Sequence, residues 1–246
     1  MNSTPISTYP NCLEMRAQAD NLMERVDEWK PSKTHTYTVR ANCQEEPVQL
    51  RVETRHTHIN DDYWAVRVTH FDHLPAAVVK EFARKLDNYA IGSVADHAKC
   101  HTEFERQYMD SIVNAETELS RVPGQDDSTA STYLSKVKYD FGAFLSHRTF
   151  YNLVYVSKTN EYHEIIQLPI QEQMWSSTKP KGPETIGKYA SVERLIYDAD
   201  SKKLSWIMMT TSSAGGFVPN FLVNHKLCSV IAEDVPKFFD WAYNMP

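Results

Sequence analysis

Residues 203–224 read KLSWIMMTTSSAGGFVPNFLVN, a stretch that passes from a strand-like run to the start of a helix. The apolar and β-branched residues within 204–210 are typical of a strand. Two glycines at 215–216 end that pattern, and Pro219 suits a first helical turn, where its missing N–H has no helical partner. We therefore expect a last strand that leads into a C-terminal helix beginning near Phe217.

The predicted C-terminal helix has one apolar side and a proline inside it. The apolar residues near that side are Phe217, Phe221, Cys228, Ile231, Val235 and Phe238. Because proline removes a backbone hydrogen bond, we expect Pro236 to kink or restart the helix, with Asp234 as the N-cap of the second piece. A helix of this kind can cover one face of a sheet.

The rest of the chain alternates between strand-like and helical patterns. Residues 12–30 carry one apolar stripe of an amphipathic helix, which Pro31 ends. A helical insertion begins at Pro75, after the third strand. The other clear strand-like runs lie near 48–52, 64–68, 109–119, 133–139, 150–156, 162–170 and 186–197. The predicted order is helix, three strands, helical insertion, six strands and a long helix.

This order predicts an α+β fold in a single domain of residues 13–246, preceded by an N-terminal tail of residues 1–12. About nine mainly sequential antiparallel strands would curve into a U-shaped sheet, whose open side needs a cover. The C-terminal helix can be that cover. A helix held by a curved sheet leaves a space between them, and such a space suits an apolar ligand.

Four short sequence motifs resemble those of the START family, the steroidogenic-acute-regulatory-protein-related lipid transfer domains. They follow one another along the chain in the same order as in that family. They are KLSW at 203–206, GFVPNFLVN at 216–224, SHRTF at 146–150 and FERQYMDS at 104–111. In the family, similar motifs form the last strand, the start of the closing helix, the entry to a central strand and the return from the helical insertion. The element order agrees over about residues 13–244.

The resemblance implies a helix-grip fold of the START and Bet v 1 type. In that fold a long C-terminal helix closes a hydrophobic cavity above a curved antiparallel sheet, and the helical insertion follows the third strand. The cavity holds one sterol, phospholipid, sphingolipid or similar molecule, for lipid transfer or sensing. We therefore expect a lipid-binding module without catalytic residues or a cofactor.

We expect the lipid to contact the inner face of the sheet and the closing helix. The candidate lipid-binding residues are Val137, Tyr139, Arg148, Ile166, Leu168, Trp206, Met208, Phe217, Phe221 and Asn224. For any one of the apolar residues, plain core packing is the alternative. A structural salt bridge is the alternative for Arg148. Tyr133, Tyr139 and Asn224 are the polar candidates for contact with a lipid hydroxyl or headgroup.

By the same resemblance, the loop of about 171–184 is a flap over the cavity mouth. It contains Met174 and Trp175, followed by two lysines. An exposed tryptophan near lysines is typical of contact with a membrane interface. The alternative is that Trp175 folds back into the core as an anchor for the loop, and the sequence leaves both possibilities open.

Two positions depart from the START pattern. Several sterol-binding members carry a buried arginine six residues after the arginine of the strand-entry motif, and here that position is Val154. The motif's aspartate is replaced by Thr149. Because a buried charge needs a partner, the valine indicates that any polar anchor in the cavity comes from elsewhere.

Composition and charge exclude several other classes of protein. The net charge is −6 and the basic residues are scattered, so we expect no nucleic-acid partner. No run approaches the ~20 apolar residues of a membrane-spanning helix. The four cysteines lack a CxxC pair, which favours reduced thiols and a cytoplasmic location. Peripheral contact with membranes is what the START resemblance and the predicted flap imply. We expect a monomer.

Catalytic and metal-binding motifs are not evident. His97 and His101 are four residues apart around Cys100, but no further ligands stand at zinc spacing, so we expect no metal site. The chain has no G-x-S-x-G elbow, Walker loop or G-x-G-x-x-G run. Two alternatives to a lipid carrier stay open: a cyclase-like enzyme acting on an apolar molecule, and a protein-interaction module with a vestigial cavity.

Overall fold

Nine antiparallel strands form one sheet in a computed structural model that describes residues 1–142, 147–175, 184–198, 203–213 and 220–246, with side chains from Lys226 onward in the last range. The strands are β1 Lys30–Val39, β2 Val48–Ile59, β3 Asp62–His70, β4 Ile112–Ser120, β5 Ala130–Tyr139, β6 Arg148–Lys158, β7 His163–Pro169, β8 Lys188–Asp198 and β9 Lys203–Ser213. Their order across the sheet is β1-β2-β3-β9-β8-β7-β6-β5-β4. The last strand therefore lies in the middle of the sheet, next to β3.

The α-helices of the described residues are α1 Cys12–Glu24, α2 Ala76–Lys85, α3 His101–Tyr108 and α4 Asn220–Ala242. A wider π-type turn, Leu86–Ile91, continues α2 and ends at Gly92, whose φ is +81°. A Cβ atom at Gly92 would lie 2.6 Å from the backbone nitrogen of His101. Glycine at this position therefore allows the insertion to fold back closely before α3.

Each face of the sheet carries a hydrophobic core. On the inner face, Leu50, Tyr133 and Trp206 pack against α2 and the C-terminal half of α4. On the outer face, Trp64 and Leu153 pack against α1. Since successive side chains of a strand point to opposite faces, both sets of alternating positions are buried in the central strands.

The fold confirms the helix-grip prediction. The described residues contain an N-terminal helix, three strands, a helical insertion, six strands and a long C-terminal helix, in that order. The helix does not restart at Pro236, because α4 runs from Asn220 to Ala242 with the proline inside it. Val235 and Phe238 on either side are fully buried, and this packing offsets the one backbone hydrogen bond that the proline removes. Residues 214–219, where we expected the helix to begin, lie outside the described residues.

The predicted inner-face positions on β7 are wrong. Ile166 and Leu168 belong to the outer core beneath α1, whereas Gln167 between them points inward and lies 3.5 Å from His101. Apolar residues occupy both faces of this strand because both faces are covered. The alternation that would distinguish inside from outside is therefore absent from the sequence of β7.

A buried ion network attaches α1 to the outer face. The Nη2 atom of Arg194 on β8 lies 2.7 Å from Glu164 Oε2 on β7 and 2.7 Å from Asp20 Oδ1 on α1. Arg16 Nε is 3.3 Å from the other oxygen of Glu164. Burial raises the pKa of Glu164, and the Arg194 charge opposes that rise. The guanidinium of Arg194 thus pairs a fully buried carboxylate with the N-terminal helix.

Candidate ligand-binding site between the sheet and the C-terminal helix

The helix α4 lies over the inner face of β1, β2, β3 and β9. Toward its N-terminal half, Cys228 and Ile231 cluster with Ala65 of β3, and Met208 of β9 packs against this cluster. Toward its C-terminal end, Phe238 contacts the ring of Trp206 at 5.4 Å between centroids. The helix is therefore held to the sheet at both of these points, and the interior between them contains several polar groups.

Arg67, Glu193 and Trp206 form the first polar group on the inner face. Arg67 of β3 is opposite Met208 of β9, which is opposite Glu193 of β8. The guanidinium carbon of Arg67 lies 3.8 Å from the centroid of the Trp206 ring, and Arg67 Nη2 lies 3.3 Å from Glu193 Oε1. The indole N–H of Trp206 donates to the same oxygen. A buried charge pair is thus stacked on an aromatic ring at the inner face.

The Arg67 side chain has unused hydrogen-bonding capacity. It is only 2% exposed, yet its Nε and Nη1 atoms have no hydrogen-bond partner. A buried donor without an acceptor costs roughly 1–3 kcal/mol, and more when it is charged. These donors therefore favour an acceptor that comes from outside the described residues.

Two carboxyl groups from the helices face the same interior. Burial raises the pKa of Asp234 on α4 to about 7, although the charge of Arg67 opposes the rise. Its Oδ1 atom has no hydrogen-bond partner, and the nearest cation is Lys237 Nζ at 3.8 Å. Burial also raises the pKa of Glu105 on α3, which lies 3.6 Å from His101 Nε2. Asp234 is therefore an interior acid and not the helix N-cap that the sequence predicted.

Three tyrosines complete the interior polar surface. Burial raises the pKa of Tyr108, Tyr139 and Tyr189, and the negative charge of Glu105 raises all three further. The Phe150 ring lies between Tyr139 and Tyr189, at centroid distances of 5.5 and 6.4 Å. The phenols consequently remain neutral hydrogen-bonding groups at all ordinary pH values.

The stability of the fold is expected to depend on the protonation of Asp234. Its carboxyl titrates at about 7 in the folded chain, against about 3.9 when unfolded. The folded state holds the proton more tightly, so the free energy of unfolding falls as the pH rises from about 4 to about 7. We expect Asp234→Asn to be more stable than the wild type at pH 8, by roughly 2–4 kcal/mol, and the gap to narrow at pH 5.

Thermal and denaturant unfolding between pH 5 and pH 8 measure this difference. Asp240→Asn is the matched control, because Asp240 is an exposed residue of the same helix. As a substitution on the protein surface, it is expected to change the free energy of unfolding by less than ~0.5 kcal/mol. A constant difference between Asp234→Asn and the wild type over the whole range would contradict the assignment of Asp234 as a buried acid.

Five of the predicted site residues lie on the inner face. Val137 and Tyr139 of β5 follow Tyr133 at alternate positions, and Trp206 and Met208 of β9 face α4. Arg148 is buried at the start of β6, opposite Tyr139. Phe217 lies outside the described residues, as do the side chains of Phe221 and Asn224. The structure thus brings Tyr139, Trp206 and Met208 toward the interior polar groups.

Trp175 of the predicted flap folds back into the core, which is the second of the two possibilities that the sequence left open. Trp175 is 9% exposed and packs in the outer core, with its ring centroid 6.3 Å from that of Tyr151. Met174 is half-buried against the same core. Trp175 is an anchor for the loop, so the expectation of an exposed membrane-contact tryptophan is wrong. Residues 176–183 of the predicted flap lie outside the described residues.

The hydroxyl group of Tyr133 already has hydrogen-bond partners within the protein. Its hydroxyl oxygen lies 3.1 Å from Thr102 Oγ1 and accepts a hydrogen bond from the backbone N–H of the same residue. Val154 is fully buried opposite Tyr133 and Gln167, which agrees with a polar anchor located elsewhere. The interior charges come instead from Arg67, Glu193 and the two helices.

Sequence reasoning missed Arg67, Glu193, Glu105 and Asp234. Arg67 is a single charge inside a largely buried run of β3, and Glu193 precedes Arg194 in a buried run of β8. A buried charge needs a buried partner. That requirement is a usable signal, although it does not identify the partner. Among the described residues, no three His, Cys, Asp or Glu side chains meet as metal ligands would. No helix of the described part is long and apolar enough to cross a membrane.

The fold is similar to that of solved human START domains. The crystal structure of human STARD10 superposes with a TM-score of 0.65 at 11% identity, over 97% of this chain and 82% of that chain. Human StAR-related lipid transfer protein 5 superposes with a TM-score of 0.59 at 11% identity, over 93% of this chain and 96% of that chain. The lipid transfer and protein localization domain of human StarD13 (DLC2) superposes with a TM-score of 0.50 at 13% identity, over 97% of this chain and 100% of that chain. At these identities the likeness establishes the START-like fold.

Comparison of sequences finds fewer similar proteins than comparison of structures does. No curated protein matches the chain. One family model matches residues 64–242, from the third strand to the end of α4, and its description is a protein of unknown function, DUF3074. Because this match covers more than half of the chain, the chain belongs to the DUF3074 family.

Proposed function

We propose that the chain binds one lipid molecule between the sheet and α4. The proposed class is a sterol, phospholipid or sphingolipid, held for intracellular transfer or sensing by a cytoplasmic monomer that touches membranes transiently. Two of the similar structures are named for lipid transfer, which supports this proposal by analogy of fold. The contacts of the inner face support it independently.

The observation that carries the proposal is the state of the interior polar side chains. Glu105, Tyr108, Tyr139, Tyr189 and Asp234 each keep part of their surface uncovered by other atoms. Burial nevertheless raises the pKa of every one of them. We interpret this combination of burial and incomplete packing as the lining of an internal space that a ligand would fill.

The apolar surroundings of this space suit a lipid. Val137, Trp206, Met208 and Phe238 present apolar surface on the inner side. Burying on the order of 500 Å² of a lipid at ~25 cal/mol/Å² contributes roughly 12 kcal/mol before the costs of association. Such a complex would be retained without an ion pair to the ligand.

A vesicle pickup experiment tests the proposal. The chain is incubated with phosphatidylcholine vesicles that contain tracer amounts of a sterol, a ceramide and a diacylglycerol. Protein is then separated from vesicles by flotation, and the lipid that it carries is extracted and measured. We expect about one lipid per chain, with one class enriched over its share of the vesicle. Protein that carries no lipid at saturation would contradict the proposal.

We propose that the ligand enters beside Phe141. This residue follows β5 and is 46% exposed, and Ile186, which pairs with the start of β6, is also exposed. The Phe141 ring stacks on Tyr139 at 6.0 Å between centroids, and Phe150 contacts both rings. A continuous series of aromatic rings therefore leads from the surface to the interior polar groups.

Replacing Phe141 by serine is expected to slow lipid transfer between vesicles. An aromatic ring at the surface can insert at the membrane interface. Its loss should reduce the transfer rate by about fivefold, equivalent to ~1 kcal/mol of lost contact, while equilibrium binding changes little. Leu119→Ser is the control, because Leu119 is 72% exposed on the edge strand β4. Equal transfer rates for the two variants would argue against entry beside Phe141.

Catalysis on a bound apolar molecule is a second candidate, favoured by Asp234. A carboxyl group with a pKa of about 7 is well matched to proton transfer near neutral pH. Mass analysis of the extracted ligand before and after prolonged incubation tests this possibility. A change in ligand mass that Asp234→Asn abolishes would favour an enzyme, and an unchanged ligand would favour a carrier.

A further inference from the structure

We propose that the polar end of the ligand is a hydroxyl group, held between Arg67 on β3 and Asp234 on α4. This inference rests on the proposed lipid binding and specifies which lipids the site accepts. It assigns the site to neutral lipids that end in an alcohol, such as sterols, ceramides or diacylglycerols. It excludes lipids whose buried end is a carboxylate, a phosphate or an ammonium.

The contacts on either side of Arg67 and Asp234 place the two side chains in the same region. Ala65, two residues before Arg67 on the same face of β3, clusters with Ile231, three residues before Asp234. Trp206, on which Arg67 is stacked, contacts Phe238, four residues after Asp234. Residues at these helical spacings share one face of α4. Asp234 therefore lies on the face of α4 that packs on β3 and β9 between those two contacts, and the charge of Arg67 lowers the pKa of its carboxyl against the effect of burial.

The unsatisfied atoms define the chemistry of the missing group. The Nε and Nη1 atoms of Arg67 carry N–H groups without an acceptor, on a side chain that is 2% exposed. The Oδ1 atom of Asp234 has no hydrogen-bond partner and lies 3.8 Å from Lys237 Nζ. A hydroxyl group both accepts and donates, so it can bond to the guanidinium and the carboxyl together. It can do so whether Asp234 is ionised or protonated, because a protonated carboxyl donates to the hydroxyl oxygen.

Charged ends match this arrangement less well. A carboxylate or phosphate only accepts, and it would add negative charge beside Glu193, Glu105 and Asp234, with Arg67 already paired to Glu193. An ammonium only donates, so it leaves both Arg67 donors without an acceptor and adds a like charge beside the guanidinium. A hydrocarbon end satisfies neither residue.

Four probes with the same tail and different ends test the inference. They are 1-pyrenedecanol, 1-pyrenedecanoic acid, the corresponding pyrenedecylamine and 1-decylpyrene, each delivered from cyclodextrin at pH 7.4 and followed by pyrene fluorescence. For the wild type we expect the alcohol to bind at least about tenfold more tightly than each of the other three, the equivalent of ~1.4 kcal/mol. A carboxylate or ammonium probe that binds as tightly as the alcohol would overturn the inference.

Variants at the two residues separate hydroxyl recognition from general binding. Asp234→Asn removes one charge from the site with little change of shape, so the alcohol-to-carboxylate preference should fall several-fold, whereas Asp240→Asn on the exposed side should leave it unchanged. Arg67→Met should lose the preference for the alcohol over decylpyrene. An unchanged preference in Asp234→Asn would overturn the inference. Failure of all four probes, decylpyrene included, would instead contradict lipid binding itself.

Discussion

Replacing Arg194 by methionine is expected to lower the free energy of unfolding by about 3 kcal/mol, because the change leaves Glu164 buried without its main partner. For a chain of this size the loss corresponds to a fall of roughly 6–12 °C in the melting temperature. Arg16, which is 30% exposed at its side chain, pairs with Glu164 at 3.3 Å and cannot neutralise it fully. Thermal and denaturant unfolding measure the effect directly.

The pH dependence of the Arg194→Met variant provides a second signature. Burial already raises the pKa of Glu164 in the folded chain, and the loss of Arg194 should raise it further. Protonation relieves the unpaired charge, so the deficit in stability should shrink as the pH falls from 8 to 5. Arg25→Met is the control, since Arg25 and Glu28 form an exposed pair, worth less than ~1 kcal/mol. Equal losses in the two variants would refute a structural role for the network under α1.

Replacing Val137 by tryptophan is expected to reduce lipid binding by about a hundredfold or more. The larger ring projects from β5 into the space that we assign to the ligand, near Tyr139. Filling that space removes most of the apolar contact on which retention depends. The stability of the variant should fall by only ~1–3 kcal/mol, as for other overpacked interiors.

Val113→Trp is the matched control for this second prediction. Val113 lies on β4, next to β5, and is 49% exposed. The same substitution there should leave the amount of lipid carried from vesicles unchanged. If Val137→Trp also carries a full equivalent of lipid while folded, the ligand does not occupy the inner face near β5.

Most of the elements could be predicted from the sequence because they have local patterns of their own, whereas no strand-like run was identified for β1. The first helix ends at Glu24, earlier than the predicted end at Pro31, which lies in β1. The glycine pair at 215–216 falls between β9 and α4 in the sequence. Alternation in β2 places Leu50 and Val52 on the inner face, where the structure confirms them. These signals depend on neighbours a few residues away, which a single sequence contains.

The positions that sequence reasoning misplaced depend on contacts between distant segments. In β7 and β8 both faces are covered, so alternate positions do not reveal which side is inner. Glu193 and Arg194 are adjacent in sequence, yet one pairs with Arg67 on the inner face and the other with Glu164 on the outer face. From the sequence alone, Asp234 is predicted to be a helix N-cap near Pro236. Only the packing of α4 on the sheet makes it an interior acid.

Native mass spectrometry of the freshly purified chain tests the central claim most directly, when combined with solvent extraction and mass analysis of the released material. We predict a chain that carries one apolar molecule, and an extract that contains a neutral lipid with a free hydroxyl group. The Val137→Trp protein should show the mass of the bare chain. A bare mass for the wild type, unchanged after incubation with sterols, ceramides and phospholipids, would contradict lipid binding by this member of the DUF3074 family.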